Sequence, residues 1–216
     1  MSVITVERRV LENNDDIARK NREIFTERGV FVLNLVSSPG SGKTSILEKT
    51  FQALRGTMKI AVIEGDVQTD LDAQRVAAYG VPVVQIVTMG GCHLDAGLVR
   101  DAVKELDIEQ TELLFIENVG NLVCPSGYDL GEAMKVAVLS TTEGDDKPLK
   151  YPAMFRNASV LIINKIDLIP YVNCNLDELK GNALKINQSL KIFEISCTTG
   201  EGISEWRDWL IKKGAA

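Results

Sequence analysis

The chain predicts an α/β fold: a mainly parallel sheet of about seven strands with helices on both faces and a phosphate-binding loop (P-loop) at one edge. Three observations carry this. Seven short apolar runs alternate with helical patterns, SSPGSGKT follows the first run and opens a helix, and NKID closes the sixth run. Strand–helix alternation of this kind builds a parallel sheet, because parallel neighbours need a crossover long enough to hold a helix.

The elements follow in order. In residues 10–25, Val10, Leu11, Ile17, Ala18, Ile24 and Phe25 recur at seven-residue intervals among charges, which predicts an amphipathic helix. Residues 1–30 are accordingly expected to form an N-terminal amphipathic helix, and 31–216 the domain that carries the P-loop. The runs FVLNLV (31–36), KIAVIE (59–64), VPVVQIV (81–87), ELLFIE (112–117), KVAVLS (135–140), SVLIIN (159–164) and KIFEIS (191–196) are rich in β-branched residues and predict buried strands. Residues 41–54, 70–79, 94–106 and 175–186 predict helices between them. TTEGDDKPLKYP (141–152), with two prolines and charges of both signs, predicts the longest polar loop.

With 216 residues, 45% of them hydrophobic, the chain can bury one substantial core. It carries 24 Lys and Arg against 30 Asp and Glu, a net charge of −6 with no basic cluster, which excludes a nucleic-acid-binding surface. It has no apolar run long enough for a membrane span and no signal-peptide pattern. Four widely spaced cysteines predict free thiols in a reducing, cytoplasmic setting.

In the strand–loop–helix context, SSPGSGKT (37–44) has the composition of an anion cradle. Gly40, Ser41 and Gly42 let backbone N–H groups turn toward phosphates, Lys43 is placed for the β- and γ-phosphates, Thr44 for Mg²⁺, and Ser45 continues the helix start. The first position of the G-x-x-x-x-G-K-[ST] pattern is Ser37 rather than Gly. In NKID, Asn164 and Lys165 precede Asp167, whose carboxylate can accept from both N1–H and the exocyclic amine of guanine. Adenine offers neither donor there, so GTP or GDP is the expected ligand. Ser196 and Cys197, at the end of the last strand, can offer backbone N–H to the base.

Two acidic segments reach the same sheet edge. Asp66, in EGDVQTDLDAQR, and Glu117, in IENVGN, are candidates to hold Mg²⁺ through water or to orient the attacking water. Asp70 and Asp72 have a second reading as charges at a helix N-terminus. Gly120 is placed for close backbone approach to a γ-phosphate. Lys147 and Lys150 are candidates to reach a nucleotide across a dimer, with a solvated basic pair as the alternative. The chain's one histidine, His93, follows Cys92 directly, and their loop and the loop carrying Cys124 should leave the sheet at this edge. These three read either as Ni²⁺ or Zn²⁺ ligands or as small buried residues.

GSGKT, EGDVQTDLDAQR, GGCHLD, IENVGNLVCP, EGDDKPLKYPAMF and NKIDLIPY, in this order, resemble the hydrogenase nickel-incorporation GTPases, the HypB family, from about Phe31 onward. The related urease accessory GTPases use a Cys-Pro-His triplet, whereas here Ser126 follows Cys124-Pro125. The resemblance implies a cytosolic GTPase that forms a GTP-dependent homodimer and assists nickel insertion into [NiFe]-hydrogenase. A HypA-type nickel accessory protein and the hydrogenase large subunit are the implied partners. The resemblance further implies that Cys92, His93 and Cys124 bind nickel or zinc. The loop after the fourth strand leads directly into Cys124, so a γ-phosphate that orders this loop is expected to make GTP and metal influence each other. Some members carry an N-terminal cysteine motif or histidine-rich stretch; the first 30 residues here contain neither Cys nor His. A GTPase serving urease or another metalloenzyme, a P-loop kinase and a zinc-stapled interaction module are the competing readings.

Overall fold

The computed structural model describes residues 6–68 and 71–215, with side chains from Leu11 onward in the first helix; the Val10 side chain and Asp70 lie outside the described residues. The chain runs α1 (Val6–Glu27), β1 (Phe31–Ser37), α2 (Lys43–Leu54), β2 (Ile60–Asp66), α3 (Leu71–Ala77), β3 (Val83–Val87), α4 (Ala96–Val103), β4 (Leu113–Glu117), β5 (Met134–Ser140), α5 (Lys147–Lys150), α6 (Pro152–Asn157), β6 (Val160–Asn164), α7 (Leu176–Ile186), β7 (Lys191–Glu194) and α8 (Ile203–Gly214). All seven strands fall within two residues of the expected runs and pair in parallel in the order β3-β2-β4-β1-β5-β6-β7. The expected P-loop architecture is therefore present, with the loop between β1 and α2 at the carboxyl edge of the central strand.

Alternation along each strand divides the core between two faces. Leu33, Leu35, Val62, Phe115, Val136 and Val138 meet Ile46, Leu47 and Phe51 of α2 and Trp206 and Leu210 of α8. Trp206 donates from Nε1 to Thr50 Oγ1 of α2 at 3.0 Å and stacks on Trp209 with centroids 5.2 Å apart. On the other face, Val32, Ala61, Ile63, Leu114 and Ile116 meet Phe25 of α1 and Val99 of α4. The half of that face toward β6 meets α6 and α7 through Phe155 and Leu179.

The expected loop at 141–152 instead contains α5, and α6 follows immediately. Pro148 and Pro152 stand in the first turns of these helices, where a missing N–H costs nothing. The expected N-terminal helix is present, but its buried stripe is Asn14, Ala18, Asn21 and Phe25, while Ile24 is exposed. Asn14 Oδ1 accepts from Ala96 N (2.8 Å) and its Nδ2 donates to Asp129 O (2.8 Å). Asn21 Nδ2 donates to Ala96 O (2.9 Å) and Leu130 O (3.0 Å). Arg22 adds an ion pair with Asp129 at 2.6 Å. The helix passes so close to Gly131 that a Cβ there would meet Ala18 O at 2.7 Å. It is thus fastened by directed polar contacts as well as by apolar burial.

Asn21→Ala leaves two buried carbonyls without their donor and should lower stability by about 1–3 kcal/mol, read by urea denaturation. An exposed control such as Glu23→Ala should stay within about 0.5 kcal/mol.

Candidate nucleotide and metal sites

The P-loop is held from behind. Gly42 adopts φ +95, and a Cβ there would meet Asn164 Nδ2 at 2.5 Å, so a side chain is excluded by both backbone and space. Asn164 donates to Ser41 O at 2.9 Å, and Lys165, itself left-handed at φ +63, donates from Nζ to Gly40 O at 2.8 Å. Ser41 Oγ reaches Glu143 Oε1 at 2.6 Å. Ser37 has a defined use: its Oγ accepts from Lys43 Nζ at 3.0 Å, keeping the buried ammonium aimed into the loop.

In front of the loop lies a cleft of about 520 Å³ lined by Gly40, Gly42, Lys43, Thr44, Ser45, Asp66, Glu117, Gly120 and Lys165 among the expected residues. Ser41 and Asn164 sit behind it. Asp167 stands beside β7's end, where its Oδ1 accepts from Ser196 Oγ at 2.5 Å. Ser196 Oγ in turn accepts from Thr198 N and Thr199 N, which orders the turn beyond the strand. Cys197 packs partly into the core and its thiol is pushed up to about 11, mainly by burial. Lys150 stands outside the cleft of its own chain, exposed and paired with Asp146 at 2.6 Å; Lys147 pairs with Glu143 at 3.3 Å. A larger cleft of about 650 Å³ opens beside Arg55 and Tyr79 at the opposite sheet edge and contains none of these groups.

The carboxylates arrange themselves differently from the expected pair Asp66 and Glu117. Glu64 and Glu117 are register partners on β2 and β4, both 2% exposed, and with Asp72 they place carboxylate oxygens within 4.8 Å of one another. Asp66 lies at the rim, its Oδ1 accepting from Gln68 N at 2.9 Å. Asp72 occupies the first turn of α3 and also joins the cluster, so both of its readings have a structural counterpart. Burial, then the neighbouring Glu117, pushes Glu64 up to about 11. Burial likewise raises Glu117, against the opposing pull of Lys43, whose Nζ is 4.0 Å away. Thr44 Oγ1 donates to Glu117 Oε1 at 2.9 Å, while Glu64 Oε2 and Glu117 Oε2 are buried without a hydrogen-bond partner among the described residues. Two orphaned carboxylate oxygens beside a threonine hydroxyl fit a hard divalent cation, or a retained proton when none is bound. Sequence reading missed Glu64 because its adjacency to Glu117 follows from strand order.

The structure also brings Cys92, His93 and Cys124 together, all half-buried, with ligand atoms within 4.8 Å of one another. Cys92 Sγ is 3.6 Å from His93 Nδ1. The imidazole lies against Tyr128, centroids 3.9 Å apart, and burial lowers its pKa below the ordinary 6.5, favouring the neutral, ligating form. The Cys92 thiol is raised chiefly by its hydrogen bond with Cys124. Asn121 Oδ1 accepts from Val123 N (2.8 Å) and Cys124 N (3.4 Å), fixing the turn that presents Cys124. Two sulfurs and one imidazole suit Zn²⁺ or Ni²⁺ and leave a tetrahedral set one donor short. Cys174 and Cys197 lie outside this cluster.

Comparison with known proteins gives a consistent result. Residues 31–194 match the family model described as CobW/HypB/UreG, nucleotide-binding domain. The hydrogenase maturation factor HypB of Escherichia coli K12 is 51% identical over 208 residues, 96% of this chain and 72% of that protein. HypB from Helicobacter pylori, crystallised in complex with nickel, superposes with a TM-score of 0.89 at 40% identity, covering 94% of this chain and 95% of that one. HypB from Archaeoglobus fulgidus gives a TM-score of 0.89 at 39% identity, covering 94% and 100%.

A buried acid with a raised pKa makes stability depend on pH. Between about 4.5 and about 11 the folded chain keeps a proton on Glu64 that the unfolded chain releases, so this contribution to stability falls as pH rises. Glu64→Gln should therefore stabilise the metal-free protein at pH 8–9, by on the order of 1 kcal/mol or more, and flatten its stability profile above neutrality. An unchanged slope in chemical denaturation across that range overturns the assignment.

Proposed function

The chain belongs to the CobW/HypB/UreG nucleotide-binding family, among its HypB hydrogenase maturation factors, and on that footing we propose that it is a GTP-hydrolysing switch assisting nickel insertion into [NiFe]-hydrogenase. The observation that carries this reading is one loop: residues 117–124 begin at the buried carboxylate of the nucleotide cleft and end at a cysteine of the metal cluster.

In this reading Gly40, Ser41 and Gly42 wrap the phosphates with backbone N–H groups, Lys43 follows the γ-phosphate, and Ser45 continues the anchoring helix turn. Thr44, Glu117 and Asp66, joined by Glu64, hold Mg²⁺, which when bound supplies positive charge to the phosphate oxygens. Asp167 accepts two hydrogen bonds from guanine, with Asn164 and Lys165 bracing the loop and Ser196 and Cys197 closing over the base. Arg75, the arginine lining the cleft, is tied to Glu48 and Asp72 at 2.9 Å each, which fits slow intrinsic hydrolysis. Gly120 lies against the P-loop, where a γ-phosphate would press on its segment.

Nickel is the cargo, held by Cys92, His93 and Cys124, with zinc as the competing ion. A second copy supplies the missing donor in a GTP-dependent homodimer and brings Lys150 toward the partner's nucleotide. The nickel-bound relative supports this assignment. A HypA-type accessory protein and the hydrogenase large subunit complete the transfer in the cytoplasm. No helix among the described residues is long and apolar enough to cross a membrane.

Asp167→Asn exchanges an acceptor for a donor. It should weaken GTP at least about 10²-fold while improving xanthosine triphosphate, whose ring carries a carbonyl where guanine has its amine; nucleotide competition reads both. Titrating nickel and zinc at saturating GDP and at a saturating nonhydrolysable GTP analogue, with mass in solution followed throughout, tests the switch. Affinity or stoichiometry should change with nucleotide and collapse in His93→Ala. Identical binding in every state would mark a structural staple instead.

A further inference from the structure

We propose that Asn118 is a positioning residue through which the nucleotide cleft sets the metal ligands, by tying the backbone directly after His93 to the strand end that carries Glu117. The proposal rests on the nucleotide-linked metal reading above and names the contact through which the link runs.

Asn118 is 1% exposed and directly follows Glu117, the last residue of β4. A buried amide in such a place is costly unless its hydrogen bonds are made. Its Oδ1 accepts from Leu94 N at 3.1 Å and from Val119 N at 3.0 Å, and its Nδ2 donates to Asn34 Oδ1 at 3.3 Å. Leu94 is the residue after His93. One side chain therefore fixes the metal loop and the segment leading to Gly120 at the same oxygen.

The connection continues to the other metal arm. Asn34, fully buried in β1, donates to Glu132 Oε1 at 3.1 Å. Glu132 lies 3.8 Å from Lys135 Nζ, which donates to Pro125 O at 3.1 Å and Tyr128 O at 2.9 Å. Pro125 adjoins Cys124, and Tyr128 carries the ring against His93. Both arms of the Cys/His cluster are thus hung from one buried polar chain that passes through Asn118.

Two tight contacts join that chain to the cleft. Gly120 stands over the P-loop, where a Cβ would come 3.1 Å from Pro39 Cα. Leu94 is fully buried against Gly65, between Glu64 and Asp66, where a Cβ would meet Leu94 Cδ1 at 2.8 Å. With no slack on either side, a phosphate that shifts residues 118–120 must drag Leu94 or break the Asn118 bonds. Packed interiors respond to such a push by discrete rearrangement.

The test is nickel titration of the full chain, read by thiolate-to-metal charge-transfer absorption. It is run at saturating GDP and at a saturating nonhydrolysable GTP analogue, so that changes in nucleotide affinity drop out. Wild type should differ between the two states by about fivefold or more in nickel affinity. Asn118→Ala should reduce that difference below about twofold. Asn118→Asp, which keeps the acceptor for Leu94 and Val119 and, held protonated by burial, the donor to Asn34, should restore it. A wild-type-sized difference in Asn118→Ala overturns the proposal. The absence of any difference in wild type brings down the nucleotide-linked reading itself, and the proposal with it. Should Asn118→Ala not fold, Gly65→Ala tests the same link from the cleft side with Asn118 and its polar neighbours retained: its methyl displaces Leu94 and should shift the charge-transfer band in the GDP state, and an unmoved band is the contrary result.

Discussion

Glu64 and Glu117 face each other across adjacent parallel strands, and much of the site is organised around their mutual repulsion. Two carboxylates this deeply buried cannot both ionise without a counter-charge, so the fold supplies Lys43 from one side and the Thr44 hydroxyl from below. What remains is a pair of buried oxygens without a hydrogen-bond partner among the described residues, on two residues that line the cleft. Lys43 is consequently a shared resource. It is held by Ser37 and drawn toward Glu117, and a triphosphate would compete for the same ammonium. The position of Lys43 thus depends on the acidic strand ends across the cleft as well as on the P-loop itself.

The second constraint is the polar seam on the opposite face from α2. Apolar clusters lie on either side of Asn34 in β1, one toward α1 and α4, the other toward α6 and α7. Between them, Asn34, Asn118, Glu132 and Lys135 fill the gap with directed bonds. Apolar packing tolerates sliding, whereas a chain of buried hydrogen bonds accepts few arrangements. The seam runs from the loop after His93 to the turn after Cys124, and α1 closes over it with its own asparagines. A polar residue in an otherwise apolar strand, as Asn34 is in FVLNLVS, is the local sign of it.

Much of this was legible in the sequence. β-Branched runs locate every strand, and a parallel sheet sends their following loops to one edge, so the sequence alone gathers the P-loop, NKID, Glu117 and the Cys/His residues there. Lateral relations were not legible. Glu64 meets Glu117 only because β2 lies beside β4, and Asp66, two residues on, carried the stronger motif signal. The α1 stripe misled for a related reason, since apolar periodicity ignores the buried Asn14 and Asn21. Pro148 and Pro152 suggested a loop because proline punctuates both turns and helix starts. Helix α8 went unpredicted; its buried Trp206 and Leu210 are set among charged residues on the solvent side.

The indole pair on α8 has an optical consequence. The chain has two tryptophans, Trp206 and Trp209, and both lie on the side of the sheet occupied by α2, with Trp206 bonded to α2 itself. Intrinsic emission is therefore a local probe of the P-loop helix and its packing. The Cys/His cluster, whose aromatic neighbour is Tyr128, lies on another part of the molecule, and a metal bound there as proposed would be seen more directly in thiolate absorption. One polypeptide thus carries separate chromophores for the P-loop face and for the Cys/His cluster, and the two signals can be followed together in a single cuvette without any added label.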